Sequence, residues 1–104
     1  MSSGMRVQAK AKNGVTQVKA LINHPMETGN RKDEKTGKLI PAHFIEEVVC
    51  EYKGAQVMVA EWSGGISKNP YIAFDFKGGA EGETVKVSWK DNQGGTDTLD
   101  VVIK

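Results

Sequence analysis

"TVKVSWK", residues 84–90, alternates polar and apolar side chains without a break. Val85, Val87 and Trp89 fall on one side; Thr84, Lys86, Ser88 and Lys90 fall on the other. A period of two marks a strand with one buried face, because successive side chains leave a strand on opposite sides. The same period runs outward in both directions along the chain. In "VTQVKALI" (15–22), Val18, Ala20 and Ile22 oppose Gln17 and Lys19. In "FIEEVVCEY" (44–52), Phe44, Val48, Cys50 and Tyr52 alternate with Ile45, Glu47, Val49 and Glu51. "QVMVAEW" (56–62) follows through the turn pair Lys53-Gly54. "YIAFDF" (71–76) sets Ile72, Phe74 and Phe76 against Ala73 and Asp75, and the last segment groups Leu99, Val101 and Ile103.

Counting "MRVQAK" near the start, the chain holds about seven short strands, and turn signals separate them. Asn13-Gly14, Gly64-Gly65, Gly78-Gly79 and Asp91-Asn92-Gln93-Gly94-Gly95 supply residues that accept the positive φ of tight connections. No stretch outside the segment 23–44 carries a convincing helical period. Strands with one apolar face each are what two sheets packed over one core require. The expected fold is all-β, an immunoglobulin-like antiparallel sandwich. It lacks the Cys–Trp–Cys hallmark of antibody domains, so only the general sandwich class is supported. Residues 1–104 form one domain, with residues 1–4 read as a disordered or vector-derived start.

The composition is that of a soluble globular domain: 38% hydrophobic and 26% charged, with a net charge of +1. So close a balance gives no overall field to steer the chain onto nucleic acid or anionic lipid. The apolar runs fall far short of a membrane span, and no secretory signal follows Met1. Taken unaided, these features indicate the cytoplasm. Cys50 is the single cysteine, so no intrachain disulfide forms.

His24, Glu27, His43 and Cys50 are the one set whose side chains suit zinc, but their spacing matches no compact metal motif. Cys50 shares a strand face with Phe44 and Val48, which reads as a small core residue rather than a nucleophile. No nucleophile elbow and no phosphate-binding loop is present. The expectation is no catalytic residue, no metal and no cofactor.

What remains is surface. The segment "NHPMETGNRKDEKTGKLIPAH" (23–43) balances Arg31, Lys32, Lys35 and Lys38 against Glu27, Asp33 and Glu34. Met26, Leu39, Ile40 and Pro41 are candidate apolar anchors, so the segment reads as an ordered recognition loop rather than a linker. "WSGGISKNPY" (62–71) sets Trp62, Pro70 and Tyr71 around a glycine-rich bend. "VMVAEW" is apolar on both sides, with Val57 and Val59 on one and Met58, Ala60 and Trp62 on the other, and such strands are usually covered by something.

"HPMETGNRKDEKTGKLIPAHFIEEV", with "VKALI" before it and "SKNPYIAFDFKG" and "VSWKDNQG" after it, resembles the Z subunit of SoxYZ, the sulfur-compound carrier of bacterial thiosulfate oxidation. The resemblance spans nearly the whole chain. It implies a heterodimer with a SoxY-type subunit, which carries sulfur intermediates on a cysteine in a Gly-Gly-Cys-Gly-Gly arm. Other Sox enzymes and c-type cytochromes would be transient partners, and the isolated chain is expected to be capable of self-association. It also implies the periplasm, reached by export together with the Y partner. This chain ends "TLDVVIK" with no such arm, so it would be the non-carrier half. The partner-binding candidates are His24, Arg31 and Lys32 in the loop and Val57, Met58, Val59 and Trp62 on the strand. The rivals are a free-standing binding sandwich without a sulfur role and a zinc hydrolase using His24, His43 and Glu27.

Overall fold

The computed structural model describes residues 5–62, 66 and 68–104. Seven strands form two antiparallel sheets: β1 (Met5–Lys12), β2 (Val15–Ile22), β3 (Ile45–Tyr52), β4 (Ala55–Glu61), β5 (Tyr71–Lys77), β6 (Thr84–Asp91) and β7 (Thr96–Val102). One sheet has the order β1-β2-β5, the other β4-β3-β6-β7. The expected sandwich is therefore the observed one. The Gly64-Gly65 turn and the 1–4 start lie outside the described residues, as does much of the glycine-rich bend at 63–67.

The hairpins follow from their turn residues. Asn13-Gly14 and Lys53-Gly54 each put two consecutive residues at positive φ, from 53° to 79°. That geometry matches the right-handed twist of the flanking strands. Between the sheets, Val18, Ala20, Ile22, Val48, Cys50, Val85, Val87 and Ile103 are completely buried. One side of the sandwich closes where Ile103 bridges Ala9 in parallel, with Lys104 N–H donating to Ala9 O at 2.9 Å. The other side, between β4 and β5, has no strand across it among the described residues.

Two departures from simple alternation matter. Ile45 falls on the opposite parity from Val48, yet it is completely buried. The β3–β6 register shifts between Ile45 and Glu47, so Glu46 is an extra residue that turns Ile45 back into the core. Likewise β4 carries an extra residue at Val57, between the pairs Cys50–Met58 and Glu51–Gln56. Val57 therefore packs against the core together with Met58, Ala60 and Trp62, leaving Val59 on the outside at 47% exposure.

The two outer faces differ in charge. That of β1-β2-β5 carries Arg6, Lys10, Lys12, Lys19 and Lys77, all exposed, against Asp75 alone. That of the four-stranded sheet carries Glu47, Glu51, Glu61 and Asp100 against Lys86 and Lys90. The chain's overall charge of +1 conceals this separation.

Candidate functional site

The segment between β2 and β3 is ordered and doubles back on itself as a two-stranded finger. Glu27 and His43 bond to each other through both backbone groups, at 2.6 and 2.9 Å. Lys32 bridges Leu39, and Asp33 N–H donates to Lys38 O at 2.8 Å near the tip. Arg31 grips the Glu27 carboxylate with two nitrogens, at 3.0 and 2.6 Å. This pairing holds the Glu27 carboxyl below, and the Arg31 guanidinium above, their ordinary values. Of the four expected anchors, Met26 is buried and Ile40 half-buried, whereas Leu39 and Pro41 are exposed. Met26 takes φ +50 and its sulfur lies 3.4 Å from the Ile45 amide.

At the base of the finger, the two histidines meet a carboxylate from the end of β6. His24 Nε2 lies 3.0 Å and His43 Nε2 2.7 Å from the same oxygen, Asp91 Oδ2. Asp91 Oδ1 accepts from the amides of Gln93, at 3.0 Å, and Gly95, at 2.7 Å. Burial pushes the Asp91 carboxyl up, but the bonds from His24, His43, Gly95 and Gln93 outweigh it and bring it down to about 2. The Trp89 indole packs edge-on to the His24 ring, with centroids 5.2 Å apart. Asn92 and Gln93 complete the junction: Asn92 accepts from Phe44 N–H at 2.8 Å, and both side chains donate to Ala42 O.

His24, His43 and Asp91 offer ligand atoms within 4.8 Å of one another, a set with the composition of a metal site. The Met26 amide decides otherwise. It donates to His24 Nδ1 at 3.1 Å, so that nitrogen must carry the lone pair and Nε2 must carry the proton. A neutral imidazole in that tautomer cannot also coordinate a metal through Nε2. With both nitrogens engaged, His24 serves as a hydrogen-bonded strut joining the finger to the β6–β7 turn.

Of the zinc set considered from the sequence, the structure unites only His24 and His43. The Glu27 carboxylate is turned to Arg31, and Cys50 is completely buried on β3. Burial raises the Cys50 thiol to about 11, the opposite of what a nucleophile needs. Asp91 was missed because an Asp opening "DNQGG" reads as turn chemistry. No sequence signal announced that its carboxylate would face inward. Among the candidates for partner binding, Arg31 and Lys32 are exposed on the finger, while His24 is 3% exposed. Val57, Met58 and Trp62 are half-buried along the β4 edge, with Val59 outside.

A profile of the family described as "Sulphur oxidation protein SoxZ" matches residues 5–102. The chain belongs to that family. As a SoxZ-family chain it is a Sox subunit of sulfur oxidation, and a non-catalytic one. A comparison with curated proteins returned no match. Among solved structures it is similar to a variant of the superoxide reductase (neelaredoxin) from Archaeoglobus fulgidus in its reduced form. The TM-score is 0.59 at 19% identity, over 94% of this chain and 85% of that one. At such identity the likeness is one of fold. The SoxZ match, with the Glu27 carboxylate held by Arg31 and both His24 nitrogens engaged, sets aside the zinc-hydrolase rival for this chain.

Proposed function

We propose that this SoxZ-family chain is the scaffold half of a SoxYZ heterodimer, binding a SoxY-type subunit whose C-terminal cysteine arm carries the sulfur intermediates. The observation that carries this reading is the state of Cys50. A covalent carrier must present a reactive thiolate to several enzymes in turn. Cys50 is completely buried in β3, its thiol raised to about 11, and it cannot swing out without opening the sheet. The sulfur therefore travels on another chain. The β4 edge, with Val57, Met58, Val59 and Trp62, supplies apolar surface for the Y subunit. The finger, with Arg31 and Lys32 exposed and His24 bracing it from inside, supplies surface for transient partners such as Sox enzymes and c-type cytochromes. Such a complex works in the periplasm, reached by export with the Y subunit.

The test is intact-mass spectrometry of the co-expressed heterodimer after loading by the thiosulfate-oxidising system. The sulfur-containing mass increment is expected on the Y chain alone, and a Cys50→Ala variant of this chain should load the complex as the wild type does. An increment on Cys50, or independent elution of the two chains in size-exclusion chromatography, would overturn the proposal.

A further inference from the structure

We propose that the free edge of β5 pairs antiparallel with the β5 of a second copy of this chain, joining the two three-stranded sheets into one six-stranded sheet. The proposal goes beyond the heterodimer reading and does not depend on it.

The free groups can be identified from the β2–β5 ladder. In the β2–β5 register, Ile22 N–H donates to Pro70 O at 2.9 Å, and Gly78 N–H to Gly14 O at 2.7 Å. Both contacts fall on even-numbered positions of the β5 side. In an antiparallel pair, hydrogen-bonded and non-bonded positions alternate. Residues 72, 74 and 76 therefore spend their backbone groups on β2, and those of Tyr71, Ala73, Asp75 and Lys77 point away from the sheet. Among the described residues no backbone hydrogen bond reaches these four, and no strand lies beyond them.

Natural sheets guard such edges with bulges, prolines or inward charges. Between Tyr71 and Lys77, β5 has no bulge, no proline and no inward charge; its charges, Asp75 and Lys77, lie on the outer face, and Pro70 stands just before it. Its seven residues pair with β2 without a register shift, and its inward side chains are Ile72, Phe74 and Phe76. By contrast, β4, the other edge on this side of the sandwich, is broken by the extra residue at Val57. Phe74 packs against the core yet stays half-buried, Ile72 beside it is half-buried as well, and among the described residues no strand covers them from the edge.

The occupant follows from the strand's own pattern. With a two-fold axis at Phe74, every position of "YIAFDFK" finds a compatible neighbour. Lys77 lies opposite the second copy's Tyr71, with the ammonium close to the ring. Asp75 lies opposite Ala73, Ile72 opposite Phe76, and Phe74 opposite itself. No like charges stand directly opposed, and the apolar residues share the inner face. A two-fold arrangement of this kind closes on itself, so it yields a dimer rather than a fibre.

The test is sedimentation velocity of the full chain across a concentration series, with an Ala73→Pro variant. Proline at 73 removes an N–H that the monomer's ladder does not use, and edge strands tolerate it there. The wild type is expected to shift to dimer as concentration rises, and Ala73→Pro to remain monomeric with an unchanged circular dichroism spectrum. A wild type monomeric up to millimolar concentration overturns the proposal, as does a folded Ala73→Pro that still dimerises. Should that variant misfold, Phe74→Cys decides. Non-bonded antiparallel partners sit at a Cα spacing that admits a disulfide. Mild oxidation should then link two copies through residue 74, and failure to link refutes the pairing.

Discussion

Replacing Asp91 by Asn tests whether the His24–Asp91–His43 cluster is a structural strut, because the two shapes are nearly identical and only the bonding differs. Asp91 accepts from four donors, and its side chain is 2% exposed. An Asn there has one oxygen. If that oxygen keeps the Gln93 and Gly95 amides, the NH₂ group faces both histidine Nε2 atoms. His43, at 32% exposure, can move its proton to Nδ1 and accept. His24 cannot, because the Met26 amide already occupies its Nδ1. The outcome is a buried N–H directed at an NH₂ donor, together with the loss of charge-assisted bonds.

An orphaned buried donor costs about 1–3 kcal/mol, and removing one partner from a buried charged contact about 3–5 kcal/mol. We expect Asp91→Asn to lose about 3 kcal/mol, a fall in Tm of about 12 °C or more for a domain of this size. Urea titration followed by tryptophan fluorescence suits the measurement, since Trp89 lies against the His24 ring. His43→Gln, which retains a donor at the more exposed position, should cost much less. A loss below about 1 kcal/mol for Asp91→Asn would mean that the four bonds contribute little net stability, and the reasoning would fail. Stabilisation of the wild type by added zinc would refute the tautomer assignment.

Acid stability gives a second check. Asp91 is held at about 2 in the folded chain against an ordinary 3.8, so its contribution is fully present above 3.8 and disappears as pH falls through about 2. The contribution is roughly 2 kcal/mol, and the stability gap between wild type and Asp91→Asn should narrow by that amount over the window; a gap independent of pH would contradict it. Gly79→Ala should destabilise by about 3 kcal/mol in thermal melts, from left-handed strain plus overpacking. Gly79 has φ +84, and a Cβ there would meet Thr16 Oγ1 at 2.0 Å and Ile103 Cδ1 at 3.3 Å. Gly82→Ala, at φ +92 with nothing within 4 Å, should show the strain alone, about 1–2 kcal/mol, and equal losses at both glycines would refute the packing part. Native Cys50 should react with a thiol reagent only through global unfolding; rapid labelling in buffer would show that β3 opens locally.

The architecture was legible because each strand repeats one instruction. Val18, Ala20 and Ile22 on β2, and Val85 and Val87 on β6, are buried as their alternation requires. Legibility failed where an extra residue breaks the period. Nothing in "FIEEVVCEY" announces that Glu46 is skipped in the pairing with β6, so Ile45 changes sides unseen. The site failed differently. His24 and His43 stood out by rarity, but their partner Asp91 is distant in sequence, and only the fold brings a β6 end against the base of a finger that begins after β2. Leu39 and Pro41 looked like anchors by hydrophobicity alone, yet the finger tip extends beyond the core that would have covered them.

Separation of charge between the two sheets changes how the molecule meets other molecules. Packed sheets lie about 10 Å apart, and the screening length in physiological salt is about 8 Å. An approaching partner therefore senses one face at a time and never the near-zero sum. Brownian encounters will be turned by the resulting electric moment before contact, with the β1-β2-β5 side presented to anionic surfaces and the β4-β3-β6-β7 side to cationic ones. A chain that behaves as almost neutral in bulk, with an isoelectric point near 7.8, thus acts at short range as two surfaces of opposite sign set back to back.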